Sequence, residues 1–230
     1  MDWTLWQVAD SAFPTGGFAH SFGLEAAAQH GAVEAATLAS FVRDTLGQAG
    51  HGALPFVSAG HAAMGPGRAS SAPTPSPATL AAVDARCDAF LRNVVANRAS
   101  RTQGRAWLAT FERTFPKPAV HAFCAEARLA PARHYAPLVG GGLCAIDVSL
   151  DAAQRLFLFS VCRGTLSAAV RLGLAGTTDA QRLLAECAGD LDRTLTACGA
   201  LTMDDAAQVA PLLDLYQSAH DRLYSRLFQS

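Results

Sequence analysis

SPATLAAVDARCDAFLRNVV, residues 76–95, is the stretch whose reading decides the fold class. Ser76 stands where an N-cap is expected, and Pro77 at the first helical position, where its missing N–H is not needed. Apolar residues then recur at Leu80, Val83, Cys87, Phe90, Leu91, Val94 and Val95. That spacing of threes and fours is the stripe of an amphipathic helix. The rest of the chain agrees. Ile146 is the only isoleucine, alanine is abundant, and no strand-like alternation persists, all of which favours helix. A second long helix is expected from near Ser149, carrying Leu156, Phe157, Phe159, Val161 and Val170. Residues 156–162 are apolar nearly all round, which places that helix at the centre of a bundle. Thr178 with Gln181 three residues later reads as a capping box opening another helix. Residues 212–228 put Leu212, Leu215, Leu223 and Leu227 near one face. The expectation is an all-α, single-domain bundle over residues 1–230, with roughly eight to ten helices at the usual length of about 11–12 residues.

Composition narrows the function classes. Half of the 230 residues are apolar, 16% are charged and the net charge is −1. Nucleic-acid binding would need a basic face that this balance does not supply. A chain of this size buries roughly 70% of its unfolded surface, so its core needs no disulfide or metal staple. The six cysteines form no Cys-x-x-Cys pair, which argues against structural zinc and thioredoxin-like chemistry. Asp2 and Trp3 stand where a signal peptide would need basic residues, and the most apolar run is far too short to span a bilayer. The expected setting is cytoplasmic, without a membrane. Residues 65–77, with four prolines and no core-forming side chain, read as a flexible loop between helices. Shorter breaks are expected at residues 115–118, 140–142 and 173–177.

Residues 10–25, DSAFPTGGFAHSFGLE, concentrate turn-forming and polar side chains. Gly16 and Gly17 tolerate φ > 0 or a close neighbour, and Pro14 fixes one dihedral before them. Asp10 reads as a cap or turn residue. Arg98, Arg101 and Arg105, at i, i+3 and i+7, share one helix face: a solvated charged face, or an anchor for a partner's carboxylates. Arg222 and Arg226 suit the dipole of a helix C-terminus. Seven histidines are present, but no pair has the i, i+4 spacing of a helical chelate, so no metal site is assigned and His20 is the one weak candidate. A P-loop, Gly-x-Ser-x-Gly and His-Glu-x-x-His are all absent. No catalytic constellation emerges, and the chain is expected not to be an enzyme.

These residues resemble the urease accessory protein F (UreF) family. Its signature, Asp-Ser, Pro-x-Gly-x-Phe and Ser-x-Gly-Leu-Glu, is similar to Asp10, Ser11, Pro14, Gly16, Phe18, Ser21, Gly23, Leu24 and Glu25. Further likenesses lie at Arg98 to Gly104, at His134-Tyr135 with the glycines of 140–142, at Val170 to Gly173, and in the tail from Pro211 to Ser230. The resemblance implies a helical homodimer that joins apo-urease through accessory protein D/H and recruits the nickel-carrying GTPase G. It implies that such a protein times GTP hydrolysis and helps nickel reach the urease active site, with no resident cofactor and nickel only in transit. It also implies partner surfaces: Pro14, Gly16, Gly17, Phe18, His20 and Glu25 near a dimer axis, and Arg222, Leu223, Arg226, Leu227 and Phe228 in a docking tail spanning 222–230, with Arg98 and Arg101 as further contacts. Two other readings stay open: a GTPase-activating protein inserting Arg98, Arg101 or Arg171 as an arginine finger, and a helical enzyme with a buried cofactor pocket.

Overall fold

The structure, a computed structural model, describes residues 3–14, 16–65 and 78–230. Among these the chain is all-α, without a strand. Its helices are α1 (Trp3–Ala9), α2 (Leu24–Gln29), α3 (Leu38–Gly52), α4 (Leu54–Met64), α5 (Leu80–Phe90), α6 (Val94–Thr114), α7 (Pro118–Leu129), α8 (Tyr135–Ala145), α9 (Leu150–Arg171), α10 (Thr177–Glu186), α11 (Ala188–Cys198) and α12 (Pro211–Ala219). Short 3-10 turns cover Gly17–Ala19 and His220–Arg222. One continuous hydrophobic core joins the helices.

α9 runs through the middle, as its all-round apolar sequence requires. Ser149 caps it by accepting the Ala152 N–H at 3.3 Å. Leu156, Phe157, Leu158, Val161, Cys162 and Leu166 are buried, and α1, α2, α3, α4, α8, α10 and α11 all pack around it.

α8 forms the second hub, and here the expectation fails. Gly140, Gly141 and Gly142 do not break the chain; they lie inside α8 and are buried. A methyl group on Gly140 would lie 2.0 Å from the Val57 carbonyl, and one on Gly60 would lie 2.2 Å from that of Pro137. Glycine at these two positions lets the α4 and α8 backbones touch. The propensity penalty of about 1 kcal/mol per helical glycine is the cost of that approach.

Other boundaries also move. The helix expected over 76–95 is two. α5 is capped by Thr79, whose hydroxyl accepts the Ala82 N–H, while Ser76 and Pro77 lie outside the described residues. The apolar stripe holds at Leu80, Val83 and Cys87 but fails at Val94, which is 73% exposed. The reason is Asn93, which accepts the Val95 and Ala96 N–H groups and so starts α6 afresh. Its amide also donates to the Asp214 carbonyl and the Ser218 hydroxyl, tying α6 to α12. α10 begins at Thr177 behind Gly176, so Thr178 is within the helix rather than its cap. The C-terminal helix stops at Ala219, and it buries Leu213 while Leu212 and Leu215 are 61% and 62% exposed. The loop expected over 65–77 falls outside the described residues from 66 onward. Six free cysteines are present, all buried except the half-buried Cys144. Burial holds the Cys87 and Cys162 thiols far above their ordinary pKa, which suits packing rather than reactivity. No helix among the described residues is long and apolar enough to cross a membrane.

Candidate functional site

The two ends of the sequence meet. Asp10 folds the N-terminal segment as an Asx turn, its carboxylate accepting the Ala12 N–H at 2.8 Å. Phe13 stacks on Phe115 with ring centroids 6.2 Å apart, and the Pro14 carbonyl accepts from the Thr110 hydroxyl. Gly16 takes φ +74° at the entry to the 3-10 turn. Gly23, at φ +86°, starts α2 where any side chain would press on Gln217 and Tyr216 of α12.

Glu25 lies in the first turn of α2, only 1% exposed. Its carboxylate accepts the backbone N–H of Leu227 at 2.5 Å and of Phe228 at 3.2 Å. A third bond, 3.1 Å, comes from Nε2 of the fully buried His220. Such a buried carboxylate survives because its oxygens are filled by donors. Backbone bonds complete the junction: Gln229 N–H to the Ala19 carbonyl at 2.8 Å, and Ser21 N–H to the Ser230 carbonyl at 2.6 Å. Phe228 is buried beneath Arg171, whose guanidinium carbon lies 4.1 Å from the ring centroid. Arg171 also donates to the carbonyls of Phe18 and Leu227.

His20 occupies the interior of this junction, 5% exposed. Its Nδ1 lies 2.5 Å from the Ser230 hydroxyl, while Nε2 is buried with no hydrogen-bond partner among the described residues. Burial, and secondly the neighbouring His220, pull its pKa down to about 4, so the imidazole is neutral at pH 7. Two cavities flank it. One of about 510 Å³ opens toward α9 and α10, and one of about 180 Å³ toward α3, α5 and α12. His20, Phe22, Gln103, Tyr135, Phe157 and Val161 border both. Burial raises the Tyr135 phenol to about 12, so it stays protonated.

A second polar cluster braces the start of α8. The buried Asp84 accepts the N–H groups of Ala132, Arg133 and His134 at 2.8, 3.0 and 2.7 Å. His134 bonds Asp88 through Nε2 at 3.0 Å and Ser100 through Nδ1 at 3.1 Å. This Ser–His–Asp order differs from a hydrolytic centre in its setting. Ser100 lies within α6, and its oxygen also accepts the Tyr135 N–H at 3.2 Å, so the trio clamps α5, α6 and α8 together. Hydrogen bonds from Asn97 and then His134 hold the Asp88 carboxyl below its ordinary value. Among the described residues, no group of three or more His, Cys, Asp and Glu side chains could hold a metal ion.

Among known proteins, the UreF family model matches residues 32–188, well over half the chain. The chain belongs to the UreF family. A relative from Oryza sativa subsp. indica, named Urease accessory protein F, is 34% identical across 98% of this chain and 84% of its own length. One of the same name from Arabidopsis thaliana is 33% identical across the full chain and 93% of its own length. The Urease accessory protein UreF of Arthrobacter sp. (strain FB24) is 28% identical across 98% of this chain and 96% of itself. This UreF-family chain therefore aligns with its relatives from end to end.

Of the site residues read from the sequence, the structure gathers Gly16, Gly17, Phe18, His20, Glu25, Leu227 and Phe228 into one junction, with Pro14 leading into it. The tail residues are placed differently from one another. Phe228 packs within its own chain, while Leu227 is 52% exposed and Tyr224 fully exposed. Arg226 does not meet a helix C-terminus, as expected for Arg222 and Arg226; it lies beyond the helix and pairs with Asp221 at 3.5 Å. Leu223 leads out of the 3-10 turn, and Arg222 is exposed at its end. Arg98 grips Asp221 through two hydrogen bonds of 2.6 and 3.0 Å, and Arg101 lies beside it on α6. Sequence reading missed His220 as the partner of Glu25, Arg171 as the lid on Phe228, and Asp84 altogether. His220 and Arg171 stand in segments similar to the family's pattern, but nothing local in the sequence pairs Glu25 with His220, 195 positions away, or Arg171 with Phe228 in another segment.

Proposed function

We propose that this chain serves urease maturation as a non-catalytic assembly factor, a homodimer that bridges accessory protein D/H on apo-urease and the nickel-carrying GTPase G. The observation that carries the reading is the end-to-end identity with relatives named Urease accessory protein F. The surface suits such work: Trp3 and Trp6 on α1, Leu212 and Leu215 on α12, and Tyr224 and Leu227 in the tail are exposed large hydrophobic side chains. In this reading the protein times GTP hydrolysis by G and shelters nickel, the cargo, on its way to the urease active site. The role is cytoplasmic, where apo-urease is assembled. Of the three arginines that an arginine finger would draw on, Arg98 holds Asp221 and Arg171 covers Phe228, which leaves Arg101.

The test is reconstitution. Apo-urease, accessory proteins D/H and G, nickel, bicarbonate and GTP are combined with and without this protein, and ureolysis and GTP turnover are followed together. Ureolysis that rises only when this protein is present supports the assignment. Equal activation without it overturns the maturation role, and strong stimulation of GTP turnover replaces the timing role by GTPase activation.

A further inference from the structure

Arg92, Arg98, Arg101 and Arg105 border one open depression of about 410 Å³ along α6, with Val94 and Asn97 between them. The chain as a whole carries a net charge of −1, so this concentration of cations is local. Among the described residues, Arg92, Arg101 and Arg105 have no carboxylate within ion-pair distance. Two acids face the row: Asp88, whose charge interacts with Arg101, and Asp221; Asp214 is held by Asn93, next to Arg92. Asp221 is informative, because its carboxylate already sits on Arg98 in a two-pronged hydrogen-bonded pair and is shared with Arg226. One end of the row thus already holds a carboxylate in the fork geometry that arginine favours.

We propose that the arginine row of α6 receives an acidic helix of a partner protein, its carboxylates taken in sequence by Arg98, Arg101 and Arg105. At the helical rise, these three are spaced about 4.5 Å and about 6 Å along the axis, the separation of acids at i, i+3 and i+7 on a facing helix. Val94, 73% exposed, offers an apolar contact beside the charges. No aromatic side chain lines the depression to stack a base, so a protein segment fits better than single-stranded nucleic acid.

Fluorescence anisotropy tests it, with the full chain and a labelled alanine-based peptide of about 15 residues carrying glutamates at i, i+3 and i+7. Saturable binding that weakens with salt is expected. Arg101→Glu with Arg105→Glu should weaken it about tenfold or more, and the corresponding double lysine variant should restore part of the affinity, since lysine keeps the charge but not the fork. Asp221→Asn, which hands Arg98 to the peptide, should tighten it. Circular dichroism of each variant confirms an intact bundle. The proposal is overturned if the peptide shows no saturable binding, if charge reversal leaves its affinity unchanged, if a peptide with the same glutamates in irregular spacing binds equally well, or if a single-stranded RNA of equal charge binds more tightly.

Discussion

Replacing Glu25 by glutamine should free the last residues of the chain while leaving the bundle folded. The buried carboxylate accepts three hydrogen bonds, two from the Leu227 and Phe228 N–H groups and one from His220. A glutamine side chain is nearly the same size, but one of its two arms becomes a donor. Whichever oxygen it replaces, that arm meets a backbone N–H, of Leu227 or of Phe228, which cannot accept from it. Hydrogen bonds to a charged acceptor contribute about 1.5–3 kcal/mol each and ordinary ones about 1 kcal/mol, so with the amide oxygen in the place of Oε2 the Leu227 bond is lost outright and those from Phe228 and His220 weaken. The net loss is about 2.5 kcal/mol at the low end of those ranges, and it falls first on the tail, whose backbone makes two of the three bonds. Hydrogen exchange with mass spectrometry reads it directly. Amides of residues 227–229 should exchange about 60-fold faster or more in E25Q, while those of α8 and α9 keep their protection. Unchanged exchange in the tail, or a uniform loss of protection through the whole chain, would show that Glu25 does not hold the junction as described.

Two further expectations concern packing and titration. Gly140→Ala puts a methyl group 2.0 Å from the Val57 carbonyl and 2.9 Å from the His61 nitrogen, so the α4–α8 contact must open. The loss should be about 2 kcal/mol or more, a fall in Tm of about 4–8 °C. Gly47→Ala, with nothing within 4 Å of the new methyl, should be neutral or slightly stabilising in the same thermal scan. His20 supplies a pH dependence. Its folded pKa, about 4, lies below the ordinary 6.5, so the unfolded chain takes up the proton first. The contribution is complete above about pH 6.5 and is lost as pH falls toward about 4, at about 1.4 kcal/mol per pH unit and on the order of 3 kcal/mol in all. Urea midpoints measured across that window should slope for the wild type and flatten for His20→Asn; equal slopes would remove His20 as the cause.

Much of the fold was legible because helix signals are local. The Ser149 cap, the apolar run of α9 and the Pro-rich break between α6 and α7 depend on neighbours a few residues away. The signature at residues 10–25 was likewise legible as unusual backbone, since Pro14, Gly16 and Gly23 announce it in the sequence itself, but His20 and Glu25, expected on a surface, are buried. The misreadings have a common source. Gly140–142 looked like a break because glycine disfavours an isolated helix, and only the contact with α4 reverses that preference. Val94 looked buried because the stripe was extended through Asn93, whose role as a cap to α6 also depends on its grip on α12.

The sequence by itself determined the helical class, the central position of α9 and the kinship with UreF, because periodicity, capping and motif order are carried by the order of residues along the chain. Tertiary structure alone decided that Glu25, His220 and residues 227–228 form one buried junction, that Phe228 rests under Arg171, and that His20 is buried between two cavities. Those pairings join residues far apart along the chain. Burial is what makes them strong, and burial is a property of the packed molecule that no local stretch of sequence contains.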